Sequence, residues 1–169
     1  MKDLACHLRS MQFYAHNAHN MCRGDEFFSD HEELGALYSV YESAYDSVVE
    51  RIIGLGQEID LITLQKEAAD KLAGKPKTDS FSKSFECLLE CELALCEIIN
   101  KENEKASLGT QNLLQGIADL SEVRQYKFKQ KTKNSKKQEA DKEAALAQQK
   151  KEPTEKEPTS SVKLLTSKD

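Results

Sequence analysis

No proline interrupts residues 1–75, and the apolar residues of that stretch recur three and four positions apart. This pairing narrows the fold more than any other feature. Proline breaks helix interiors, and a three–four recurrence places side chains on one face of an α-helix. Leu4, Leu8, Met11, Ala15 and Ala18 predict a first helix over 3–22, which Arg23-Gly24-Asp25 breaks. Ser29 or Asp30 caps a second helix running to about Leu55, and Ser29 with Glu32 or Glu33 resembles a capping box. Leu34, Leu37, Tyr41, Tyr45, Val48, Ile52 and Leu55 form its stripe, with Gly54 and Gly56 at its end. Residues 58–72 read as a short helix inside a long connection, and residues 74–80 as a polar break. A third long helix is predicted over 81–106, with Phe85, Leu88, Leu89, Leu95, Ile98 and Ile99 inward. Thr110 caps a fourth at 111–128, where Leu113, Leu114, Ile117, Leu120 and Val123 supply the stripe.

Four main helices make an all-α fold, a four-helix bundle. The long link between the second and third permits a crossover, which marks ferritin-like bundles. The expected organisation is a bundle over 1–128 and a Lys-rich, disordered tail over 129–169. Charge divides at the same place. Residues 127–169 carry 12 Lys against 7 acids, while the whole chain has a net charge of −5, so the body is strongly acidic. Such a body attracts cations, and such a tail attracts polyanions. The five cysteines include no CxxC pair, and their odd count and helical context argue against a disulfide framework and for reduced thiols in a cytoplasmic protein. Cys87 and Cys91 share a helix face, but no nearby histidine supports a thiolate metal site there. No apolar h-region opens the chain, and no apolar run reaches the roughly 18 residues of a membrane span.

Three of the four histidines, His16, His19 and His31, lie within sixteen positions, and Asp46 and Glu50 follow one helical turn apart. Imidazole with carboxylate is a ligand set for iron, zinc or manganese. His31 precedes Asp46 by 15 positions on one helix, a separation of about 22 Å. Metal–ligand bonds are near 2 Å, so the two cannot share a metal within one chain. His19, across a short turn, lies near the His31 end. Two copies paired antiparallel along the second helix would bring His19 and His31 of one to Asp46 and Glu50 of the other, giving two symmetric sites. The Glu-x-x-His motif of single-subunit di-iron bundles is absent. His16 reads as a cap or surface group, and Tyr38, Tyr41 and Tyr45 as core or dimer-interface residues.

The segment His16–Gly56 resembles the Dps family, the mini-ferritins named as DNA-binding proteins from starved cells. The similar features are HNAH, a short basic-glycine turn, FF, a His followed by Glu-Glu, and Asp46-x-x-x-Glu50-Arg51 ending in Leu55-Gly56. GTQNLLQGIADL, residues 109–120, resembles the start of the family's last bundle helix. The resemblance covers about residues 5–128. It implies a ferroxidase-type oxidoreductase whose iron site lies between two subunits, with His19, His31, Asp46 and Glu50 matching the family's iron ligands. Fe(II) would be oxidised by peroxide or oxygen, and Fe(III) stored in a hollow dodecamer, protecting DNA under oxidative stress. Two positions depart from the family pattern. Gly35 stands where the family has a further carboxylate, which weakens a second metal position. Asn20 stands where Trp is common.

Lys127, Lys129, Lys131, Lys133, Lys136 and Lys137 form a basic run with no acid among them. They read either as non-specific contacts to DNA phosphates, a nucleoid-associated role, or as a solvated linker. No base-reading motif is present. The readings that remain are an iron-oxidising, iron-storing mini-ferritin and a Dps-like shell with weakened ferroxidase that acts as a DNA-binding or structural assembly. A plain helical interaction protein is a third.

Overall fold

A computed structural model describes the backbone of residues 1–75 and 81–149 and the side chains of 1–75 and 83–133. The described residues are all helical, with no strand. Their helices are α1 (Lys2–Met21), α2 (Phe27–Gly54), α3 (Leu61–Asp70), α4 (Phe81–Asn103) and α5 (Leu108–Gln149). None is long and apolar enough to cross a membrane. The chain divides into two units, Met1–Ser135 and Lys136–Asp169.

The starts of two helices differ from expectation. The second begins at Phe27 rather than at Ser29 or Asp30, and its N-cap, Glu26, makes no side-chain cap hydrogen bond. Asp30 is instead buried in the first turn, where it accepts a hydrogen bond from Lys131 Nζ at 2.8 Å. Thr110 does not cap the last helix, which begins at Leu108; its buried hydroxyl accepts from Ser107 at 3.1 Å. The short helix has a conventional cap, with Asp60 Oδ1 accepting from the amides of Ile62 and Thr63.

The last helix also runs past residue 128, and the first unit ends at Ser135. Phe128 and Thr132 are buried. Lys131 pairs with Glu26 and Asp30 on the α2 side and lies 5.7 Å from the Phe85 ring centre. These contacts hold the helix to the body beyond the point where its apolar periodicity fades. Of the disordered tail expected over 129–169, residues 129–149 belong to α5 and residues 150–169 lie outside the described residues.

One core joins the long helices of the first unit, and α1 packs against α2, α3 and α4. The predicted stripes of α1 and α2 are buried except Leu55. The α5 stripe is offset from prediction: Leu120 and Val123 are exposed, and the inward face runs through Thr110, Leu114, Ile117, Ser121, Arg124, Gln125, Phe128 and Thr132. Ser121, Arg124 and Gln125 occupy core positions because they meet Glu92 of α4, which has 0% exposure. Tyr41 Oη donates to Glu92 Oε1 and Ser121 Oγ to Oε2, each at 2.6 Å. Arg124 donates from Nε and, at 3.2 Å, from Nη2. Three helices are thereby tied to one carboxylate.

Glu92→Ala would leave the Arg124 guanidinium buried without its counter-charge, an expected loss of about 3–5 kcal/mol in urea unfolding. Glu92→Gln, which keeps the shape but not the charge, should lose less. His7 supplies a second handle. Its Nε2–H donates to the Cys91 carbonyl at 2.9 Å, and burial holds its pKa below the usual 6.5. The folded state therefore disfavours the imidazolium. Stability from His7 is present above pH 6.5 and is lost as pH falls through 6.5 towards the depressed folded value. Unfolding free energy measured from pH 7 to 5 should fall more steeply in the parent than in His7→Gln, which keeps a donor without the titration.

Candidate metal centre

The α1–α2 hairpin brings three histidines and a tyrosine into one row. The His19 and His31 rings lie 3.7 Å apart between centres. Tyr38, one helical turn along α2 from Gly35, sits 5.5 Å from His19 and 4.5 Å from His16. The short turn after Met21 reverses the chain through Gly24, whose φ of +95° suits glycine. His16 is exposed, as its surface reading requires, and Tyr38 is half-buried.

The protonation pattern of His19 is set by its backbone partner. Nδ1 lies 2.8 Å from the carbonyl oxygen of His31. A carbonyl only accepts, so Nδ1 carries the proton and Nε2 carries the lone pair. A carbonyl holding one ring nitrogen in this way is what orients imidazole ligands in metal sites.

Gly35 makes room for that ring. A Cβ at position 35 would stand 3.3 Å from both Cε1 and Nδ1 of His19. The sequence presents Gly35 only as a missing carboxylate; packing makes it the notch into which His19 fits. Sequence reasoning missed this because the neighbour comes from another helix.

Asp46 and Glu50 are exposed on α2. The helix is continuous from Phe27 to Gly54, so Asp46 stands about 22 Å along the axis from His31. Fifteen residues also return Asp46 to within roughly 60° of His31 around the axis, on the same side of the helix. Among the described residues, no three His, Cys, Asp or Glu side chains gather to hold a metal. The structure thus brings His19 to His31 and keeps both away from Asp46 and Glu50 of the same chain. Close by, burial pushes the Tyr45 hydroxyl up; Arg9, 4.6 Å over its ring, opposes this and Asp46 adds to it.

The basic run is partly engaged. Lys127 pairs with Glu33 at 3.7 Å, and Lys131 with Glu26 and Asp30. Lys129 and Lys133 are exposed. Lys136 and Lys137 lie on α5, but their side chains fall outside the described ones.

Gly35→Ala should shift the His19 ring resonances in a proton–nitrogen NMR spectrum, because the new methyl must displace the ring. Gly116→Ala, where nothing lies within 4 Å of the new Cβ, should leave them in place while stabilising α5 by about 1 kcal/mol. No known protein family matches the chain, and neither does any curated protein or solved structure.

Proposed function

We propose that the chain is a Dps-like mini-ferritin: its long helices form a ferritin-like four-helix bundle, and two copies complete each Fe(II)-oxidising site. The observation that carries this reading is His19. Its Nδ1–H is committed to the His31 carbonyl, which leaves Nε2 as a ready ligand. The matching carboxylates, Asp46 and Glu50, are exposed and one turn apart, but on the same rigid helix as His31 and too distant for one metal. A second copy antiparallel along α2 answers both facts. The midpoint of such a pairing falls near Ser39, Val40 and Ser43, which are exposed and small enough for close approach. Beside them, an apolar groove of about 570 Å³ runs between α2 and α5, lined by Val40, Ala44, Leu113, Ile117 and Leu120.

Iron is the substrate in this reading. His19 of one subunit with Asp46 and Glu50 of the other hold Fe(II), and His31 orients His19. Two Fe(II) give one electron each to peroxide, whose O–O bond breaks to yield two hydroxides. The carboxylates favour the harder Fe(III) product, which collects within a dodecameric shell. Removing iron and peroxide together protects DNA. Gly35 favours a second reading, a shell with weakened oxidation acting as a non-specific DNA-binding or structural assembly, because it offers no carboxylate to a second metal. The ion pairs of Lys127 and Lys131 leave less of the basic run for DNA in that reading.

Anaerobic Fe(II) followed by peroxide, with Fe(III) absorbance recorded beside solution mass, tests the assignment. The expected result is a shell of roughly twelve times 19.1 kDa, with oxidation slowed more than about tenfold in His19→Ala and in Asp46→Ala. Co-assembling those two variants should restore about a quarter of the sites, since half the dimers are mixed and each keeps one intact His19–Asp46 pair. No restoration would exclude a shared site. A shell that oxidises iron no faster than buffer would make the second reading the leading one.

A further inference from the structure

A cavity of about 180 Å³ lies between α1, α4 and the turn that follows α3. From α1 come His7, Ser10 and Tyr14, at the three- and four-residue spacing of one helix face. From α4 comes Cys91, and from the turn come Lys71, the C-cap of α3, and Lys75. Gly74, at φ +83°, lets the chain reverse there, and the Lys75 amide donates to the Leu72 carbonyl at 3.0 Å. Two lysines four positions apart are thereby brought to one cavity.

No carboxylate lines this cavity, although the body around it is strongly acidic. Among the described residues, the lysines in ion pairs are Lys2, Lys127 and Lys131; Lys71 and Lys75 have no carboxylate partner. The Ser10 hydroxyl is committed to the His7 carbonyl at 2.7 Å, and His7 Nε2–H to that of Cys91 at 2.9 Å. What the cavity offers a ligand is therefore positive charge. Its size narrows the choice further. Drug-sized ligands occupy roughly 300–1,000 Å³, whereas this cavity has the room of about six waters. That admits an ion of a few heavy atoms and excludes a nucleotide or a nucleic-acid strand.

We propose that this cavity binds a small, doubly charged oxyanion of the phosphate class, held by the ammonium groups of Lys71 and Lys75, with His7 as a proton-linked third cation. Two ammonium groups match one dianion, and lysine binds such groups as a point charge, without demanding a fixed geometry. His7 adds the coupling to pH. Its Nε2 already carries a proton, so protonation falls on Nδ1 and places a third positive charge on the wall. Burial lowers the His7 pKa, the Cys91 carbonyl raises it, and Lys71 and Lys75 lower it again. The groups facing His7 are those two lysines from the turn, Cys91 and Glu92 from α4, and Tyr14 from α1; Glu92 is itself paired with Arg124. A bound dianion offsets the repulsion from the lysines, so the His7 pKa rises. By reciprocity, the anion binds more tightly as pH falls through that value. The proposal is independent of the iron site and uses none of its residues.

The full chain provides the test, with its histidine ring signals followed by proton–carbon NMR and the His7 signal assigned by its loss in His7→Gln. Sodium sulfate is the first probe, because it stays a dianion from about pH 5 to 8. Sodium chloride at equal ionic strength is the reference, and inorganic phosphate and acetate follow. Sulfate and phosphate should shift the His7 signal with a Kd below about 1 mM, and acetate should bind about tenfold more weakly. Sulfate should raise the His7 midpoint by about 1 pH unit. Lys71→Met and Lys75→Met should each weaken sulfate about tenfold, while Lys66→Met, at an exposed lysine of α3 that does not line the cavity, should leave it unchanged. In calorimetry, His7→Gln should still bind sulfate at about pH 8 but lose the tightening towards pH 5, a change that altered packing alone does not produce. Circular dichroism confirms that each variant is folded. A His7 signal that responds to sulfate no more than to chloride, acetate binding as tight as sulfate, or an equal loss in Lys66→Met overturns the proposal.

Discussion

A single buried carboxylate organises the centre of this fold. Glu92 has no solvent exposure, and a charge in that position persists only where donors surround it. Tyr41 from α2 and Ser121 and Arg124 from α5 supply them, while Gln125 reaches the Glu92 backbone carbonyl at 3.4 Å. Apolar contacts tolerate small rotations of one helix against another. A bidentate guanidinium–carboxylate pair with two short hydroxyl bonds does not. The register of α2, α4 and α5 follows from it, including which face of α5 points inward. Tyr41 pays in acidity: burial and then the Glu92 charge push its hydroxyl well above the usual value.

That fixed register carries consequences outward. With Ser121 and Arg124 turned in, Leu120 and Val123 turn out, and the apolar groove between α2 and α5 is left open beside the small exposed residues of α2. At the other end of α2, the same helix presents His31 to His19 across the hairpin. The distance that separates His31 from Asp46 is a property of a straight helix, and no side-chain rearrangement closes it. Any chemistry joining these residues is therefore chemistry between copies.

The helices were legible because apolar periodicity and the scarcity of proline are local signals. Leu4 to Ala18 and Leu34 to Ile52 point inward as their spacing requires. The stripe on α5 was misjudged for a definite reason. Leu120 and Val123 look like core residues to a hydropathy pattern, whereas Arg124 and Gln125 do not, and only Glu92 of another helix, through its carboxylate and its backbone carbonyl, makes them so. The end of that helix was misjudged likewise, since Lys131 reads as a solvated charge until Asp30 and Glu26 stand opposite it. In the candidate site, the sequence spacing picked out His19, His31, Asp46 and Glu50. The tautomer of His19 and the notch at Gly35 were invisible, because each depends on an atom from the neighbouring helix.

By itself the sequence determined an all-helical chain, the identity of its long helices, the histidine–carboxylate pattern and the impossibility of joining that pattern within one chain. Each of these follows from helix geometry, which is local and regular. Tertiary structure alone decided which polar residues enter the core, which imidazole nitrogen is free, and that His7, Tyr14 and Lys75 line one cavity with Cys91. Those outcomes rest on contacts between residues far apart in the chain, His7 and Cys91 among them. Such contacts are settled by packing and by the need to satisfy buried polar groups, and no local pattern encodes them.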